Sequence, residues 1–202
     1  QALWDSDTAV PLRLYGAGLS VPGSVQSPAI AERAAQDFLN AHRTLLAPGS
    51  QVGDFRAVAS DLDRGMRTVG FIQSRGGLSV VGGRYNVRFK NDRLFVVGSE
   101  AFPHVTMPTQ TLSPMSDAEL GRRARAWVAK ETGGETKLEK VIGATILPIV
   151  QQGAQVRYRT VMEVIVTSRL PVGRYQVMLD IETGEPVSRR QLLKFYEGTL
   201  AI

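Results

Sequence analysis

Residues 73–103 read QSRGGLSVVGGRYNVRFKNDRLFVVGSEAFP. Apolar and polar residues alternate from Leu78 to Phe89 and again from Leu94 to Val97. A period of two places successive side chains on opposite faces of a strand. Asn91-Asp92 interrupts the alternation with residues that tolerate a positive φ, so the segment is expected to be a hairpin. Gly76-Gly77 marks a second turn just before it. Gly82 and Gly83 fall inside the strand pattern, where glycine signals a bulge or a close backbone approach. The segment contains no nucleophile paired with a base and no cluster of metal ligands.

Working backward, DFRAVASDLD (54–63) and MRTVGFIQS (66–74) also read as strands, with Asp63-Arg64-Gly65 between them. Before these lies a helix. Ser27 is a suitable N-cap, and Pro28 occupies the first helical position, where its missing N–H costs nothing. Ile30, Ala34, Phe38 and Leu45 recur near helical spacing and are expected to face the core. Residues 47–50, APGS, end the segment. The first 26 residues are rich in Gly, Pro and Ser and read as an extended arm, in which WDSDTAVPLRLYG can add a strand.

Working forward, PHVTMPTQTLSPM (103–115) is proline-rich and polar, as a linker is. Ser116 and Glu119 then form a capping box, with Met115 placed to staple onto Leu120. Leu120, Ala124, Trp127 and Val128 share one helix face, and Gly133-Gly134 stop the helix. Four more strands follow: KLEKVIGATILPIV, AQVRYRTVMEVIVT, GRYQVMLDIET and EPVSRRQLLKF. The order is helix, four strands, linker, helix, four strands. It predicts an α+β protein of two modules, each with one helix packed on an antiparallel sheet.

Composition narrows the function. The chain has 202 residues, 43% of them hydrophobic and 21% charged, a balance typical of folded domains. The absence of cysteine excludes disulfides, thiol catalysis and cysteine–zinc sites. The net charge of +5 suits an acidic partner. The basic residues are nevertheless scattered and not interleaved with exposed aromatics, so no nucleic-acid partner is expected. No apolar run approaches the length of a membrane span, and no signal peptide is visible at the start. His42 and His104 are the two histidines. Neither lies in a zinc-ligand spacing or a nucleophile–base pattern, and no H-E-x-x-H, G-x-S-x-G or phosphate loop occurs. Asp180, Glu182 and Glu185 could be drawn as an acidic metal site. A hairpin turn accounts for them better, with Asp180 bonding the turn backbone and Gly184 supplying the positive φ.

Taken together, these stretches resemble a known precursor segment. IQSRGGLSVVGGRYNVRF is similar to the fungalysin/thermolysin propeptide (FTP) motif, in which Gln73, Gly77, Leu78, Val80 and one of Gly82 or Gly83 match. Arg75 stands where that motif has an aromatic, and Ser79 where it has proline. The helix SDAELGRRARAWVAKE and the hairpin LDIETGEPV, with Asp180, Thr183 and Gly184, resemble a PepSY domain. The resemblance divides the chain into an arm (1–26), an FTP-like module (27–102), a linker (103–115), a PepSY-like module of cystatin-like fold (116–195) and a terminal segment (196–202). It implies a non-catalytic propeptide that helps a secreted or periplasmic zinc metallopeptidase fold and keeps it silent. The zinc would belong to that partner, and this chain would need no cofactor. Gly198, Thr199, Leu200, Ala201 and Ile202 would be the residues entering the peptidase cleft. A free-standing PepSY-like inhibitor acting in trans is the alternative.

Overall fold

The computed structural model describes residues 1–107, 115–151 and 155–193. Ten strands and three helices follow one another along the described chain: β1 (Ala2–Trp4), β2 (Pro11–Ser20), α1 (Pro28–Ala41), α2 (Arg43–Leu46), β3 (Phe55–Asp63), β4 (Met66–Arg75), β5 (Leu78–Lys90), β6 (Arg93–Ser99), α3 (Asp117–Thr132), β7 (Thr136–Ile149), β8 (Arg157–Arg169), β9 (Val172–Asp180) and β10 (Pro186–Gln191). The fold is α+β. The chain divides into two compact units, Gln1–Met107 with Ile146–Tyr158, and Pro108–Thr145 with Arg159–Ile202.

In the first unit the strands run in the order β1-β2-β6-β5-β4-β3, each pairing antiparallel with its neighbour. β5 also makes one parallel contact, Val80 with Ile146 of β7, so the sheet is mixed and not purely antiparallel as expected. The alternation read from the sequence governs β4 and β5: Val69, Phe71, Tyr85, Val87 and Phe89 all point into one core. The Tyr85 hydroxyl donates to the Ala35 carbonyl at 3.2 Å, and burial pushes its phenol pKa up. Asn91 and Asp92 both take positive φ, as the β5–β6 turn requires.

The helix phase differs from expectation. Ala31, Ala35 and Leu39 are the buried residues of α1. Ile30 and Leu45 are 43% and 38% exposed, while Ala34 and Phe38 lie at the margin of the core. Helical spacing sets the period but leaves the phase open by one residue. Here the alanines face the sheet because their small side chains let the helix approach it closely. The predicted cap is present: the Ser27 hydroxyl accepts from the Ile30 N–H. His42 ends α1 with its ring 4.5 Å from Phe38.

The arm before Gln26 is ordered. β2 pairs with β6, and the loop that follows is held from two sides. Arg67, 4% exposed, donates to the carbonyls of Val25 and Gln26 and to that of Ser60. Asp92 accepts from the Val25 N–H at 3.0 Å, and such backbone hydrogen bonds hold its carboxyl below the usual range.

In the second unit α3 packs on β7-β8-β9-β10. Leu120, Ala124 and Val128 are buried, and Trp127 and Met115 pack against them, as the spacing predicts. Ser116 caps the helix by accepting from the Glu119 N–H. Gly133 closes it in the left-handed conformation at φ 69°. The edge strand β10 is tied back to α3 through Arg189. Its guanidinium pairs with Glu131 and lies over the rings of Trp127 and Tyr175.

Candidate functional site

Gln73 sits where β4 and β5 lose register. Ser74 pairs with Ser79 and Ile72 with Arg84, so residues 80–83 of β5 stand against Gln73 alone. The chain therefore loops out of the ladder, and the side chain of Gln73 takes over the missing pairing. Its amide N–H donates to the Phe102 carbonyl at 2.9 Å, and its amide oxygen accepts from the Phe102 N–H at 2.9 Å. The residue is 1% exposed. Gly83 is required by closeness: a Cβ there would sit 2.6 Å from the Gln73 amide oxygen. Gly76 and Gly77, both at positive φ, make the tight turn that starts β5.

The excursion carries Val80 to Ile146. Together with Val105 they form a small buried cluster, against which Leu78, Phe102 and Tyr158 pack. The Tyr158 hydroxyl donates to the Pro103 carbonyl, and burial pushes its phenol up to about 12. These contacts explain why residues 146–158, read from the sequence as belonging to the second half, count with the first unit. Beside the cluster lies a surface groove of about 500 Å³ lined by Pro103, His104, Gln155, Arg157 and Tyr158. His104 is positioned by its backbone, which has φ 51° and donates to the Pro48 carbonyl at 2.6 Å.

The second family-like turn, Asp180 to Glu185, is built on a buried carboxylate. Asp180 is 4% exposed. Its Oδ1 accepts from the N–H groups of Glu182 and Thr183 at 2.9 and 3.2 Å, and its Oδ2 pairs with Arg159 at 2.9 Å. Its backbone bonds Glu185 and Gly184, and Gly184 has φ 67°. The Thr183 hydroxyl accepts from the Glu185 N–H. The Thr183 carbonyl accepts from Arg123 of α3 at 3.0 Å, which fastens the turn to the helix. Asp180 is thus spent on holding the turn. Among the described residues no group of three His, Asp or Glu side chains could hold a metal ion.

At the start of α3 the Glu119 carboxylate accepts from Arg122 and Arg123 at 2.7–2.8 Å, which holds it at about 2, well below the usual carboxylate range. The capping box is therefore half formed, with the Ser116 hydroxyl in place and the acid turned to the arginines. A carboxyl whose pKa falls on folding contributes stability above its unfolded pKa and loses it as pH drops through the folded value. Glu119→Gln is accordingly expected to flatten the loss of stability between about pH 4.5 and pH 2. Circular-dichroism melts across that range, compared with the parent chain, check it.

Gln73, Gly77 and Val80 are gathered in the first unit, while Asp180, Thr183 and Gly184 form one turn of the second. Gly198, Thr199, Leu200, Ala201 and Ile202 lie outside the described residues. Sequence reasoning missed the backbone of Phe102 as the partner of Gln73, and Ile146 as that of Val80. The Gly82-Gly83 pair was the available signal that the strand leaves its ladder there.

No helix among the described residues is long and apolar enough to cross a membrane. No protein-family model matches the chain, and no curated protein does. Among solved structures it is similar to the Bacillus megaterium YpeB C-terminal domain, with 13% identity and a TM-score of 0.39, over 91% of this chain and 73% of that one. At that level of likeness the match assigns neither family nor function.

Proposed function

We propose that the chain is the non-catalytic propeptide of a secreted or periplasmic zinc metallopeptidase of the thermolysin or fungalysin type, acting as intramolecular chaperone and inhibitor. In this reading an FTP-like module is followed by a PepSY-like module of cystatin-like fold, and the zinc belongs to the peptidase. One observation carries the proposal. The residues that resemble the two family motifs, Gln73 and Asp180 above all, are consumed in bonding nearby backbone, Gln73 at a register break and Asp180 in a turn. A protein whose matched residues are spent on scaffold is suited to present a surface to a partner.

The physical rationale is kinetic. A secreted peptidase gains from a high unfolding barrier, since every opening exposes it to digestion. The same barrier slows folding, and a partner that binds the folding transition state lowers it. While the two share one chain, their effective concentration reaches about the millimolar range, so a modest interface suffices to keep the enzyme silent. Leu200 and Ile202 have side chains suited to apolar subsites, and Gly198 allows an extended entry.

The test mixes the purified chain with a thermolysin-like or fungalysin-like peptidase and follows peptide hydrolysis. A second chain ending at Phe195 runs beside it. Inhibition that rises with chain concentration and weakens on truncation is the expected result. Inhibition unaffected by truncation moves the contact from the terminal segment to the sheet of the second unit. Neither inhibition nor rescue of peptidase refolding would sink the reading for that enzyme and favour a free-standing PepSY-like module acting on another target.

A further inference from the structure

The outer flank of α1 is only partly used by the first unit, whose core Ala34 and Phe38 touch from the margin. Ile30, Ala34 and Phe38 form a stripe at helical spacing beside the buried one, and Ile30 is 43% exposed. Grooves of about 340 and 370 Å³ lie along it. Phe38 lines the first with Leu14 and Leu19 of β2, and Ile30 and Ala34 line the second with Val21. Tyr15 and Leu19, 46% and 56% exposed, extend the apolar face onto β2. Neighbouring exposed apolar residues rimmed by charged ones are the signature of an interaction surface.

Its charges identify the partner. Arg33 and Asp37 border the second groove, one helical turn apart, and both are exposed. Neither has an ion-pair partner among the described residues. We propose that this face binds a second copy of the chain, with the two α1 helices antiparallel across a two-fold axis near Ala34. That axis places Ile30 of each copy against Phe38 of the other. It also brings Arg33 beside Asp37 of the partner copy, twice, as an isologous contact demands. Ala34 meets Ala34 at the centre, where a small side chain lets helices approach to about 8 Å. A parallel arrangement would instead leave Arg33 and the other copy's Asp37 on opposite flanks of the seam and unpaired. The pattern of size and charge is thus complementary to itself when inverted, which is the condition for a closed dimer.

This inference does not depend on the propeptide reading, and its test involves no peptidase. Sedimentation equilibrium of the whole chain, from low to high micromolar, is expected to show a monomer–dimer equilibrium. Arg33→Asp and Asp37→Arg should each weaken association by about tenfold, because each sets like charges together at two symmetric places. The double variant R33D/D37R should restore the parent constant. Both positions are exposed, so thermal melts of the three variants, taken at a concentration where the parent is monomeric, should match the parent and exclude misfolding as the cause. A chain that stays monomeric throughout overturns the proposal. So does a dimer that ignores the single exchanges, or a double variant no better than the singles.

Discussion

Gln73→Leu is expected to destabilise the first unit by about 3 kcal/mol. The substitution keeps most of the volume and removes both hydrogen bonds to Phe102. A hydrogen bond contributes only about 1 kcal/mol net when made, but a buried group left without its partner costs about 1 to 3 kcal/mol. Two such groups, the N–H and carbonyl of half-buried Phe102, are stranded here beside a side chain that is itself 1% open to solvent. Water has little room to replace the amide, because Gly83 is already pressed against it. Gln73→Glu should fare no better: one carboxylate oxygen can still accept from the Phe102 N–H, while the other faces the Phe102 carbonyl and repels it. Gly83→Ala attacks the same contact from the opposite side, and should shift the midpoint of urea unfolding in the same direction. Urea unfolding of the three variants measures all of this. A Gln73→Leu loss below about 1 kcal/mol would show that the glutamine merely occupies space.

The elements that were legible in the sequence are those governed by local rules. The limits of β5 follow from its alternation, Ser116 and Gly133 bound α3 by capping chemistry, and the Asn91-Asp92 turn has the backbone its residue types favour. The errors arose where a local rule left a choice open. For α1 the stripes Ile30-Ala34-Phe38 and Ala31-Ala35-Leu39 differ by one residue, roughly 100° of helix rotation, and have the same period. Hydrophobicity favoured the larger side chains, whereas close packing against the sheet favoured the smaller. The parallel contact of Val80 with Ile146 joins residues far apart in the chain, and no window of sequence contains it. The same holds for Tyr158 and Pro103. Of the family-like residues, Asp180 was legible in role as well as position, because a turn carboxylate bonds N–H groups two and three residues ahead. The partner of Gln73 lies 29 residues away and was not.

Asp180→Ala should cost the second unit about 2 to 3 kcal/mol, and the way that loss divides between the two carboxylate oxygens is the informative part. Oδ2 pairs with Arg159, whose side chain is 53% exposed while that of Asp180 is 5% exposed, so losing the arginine leaves one buried acceptor without its partner, a cost of about 1 kcal/mol. Oδ1 accepts from two backbone N–H groups inside the turn, and with the acid gone no other side chain is placed to receive both. The backbone contacts should therefore dominate. Asp180→Asn keeps an oxygen that can serve the two N–H groups while losing the charge, so it should recover most of the stability. Arg159→Ala strands Oδ2 alone and should cost about 1 kcal/mol, less than Asp180→Ala. The order of melting temperatures, parent highest, Arg159→Ala and Asp180→Asn between, Asp180→Ala lowest, tests the argument directly. If Arg159→Ala proved as damaging as Asp180→Ala, the ion pair and not the turn would be what the aspartate supplies. The turn matters because it is fastened to α3 through Arg123 and Thr183, so loosening it also frees a contact at the first turns of the helix. In the propeptide reading, such a loss should weaken peptidase inhibition only as far as it unfolds the second unit. Asp180→Asn, folded and uncharged, should then inhibit as well as the parent. An Asp180→Asn chain that remains folded but fails to inhibit would instead make the carboxylate a contact to the peptidase itself.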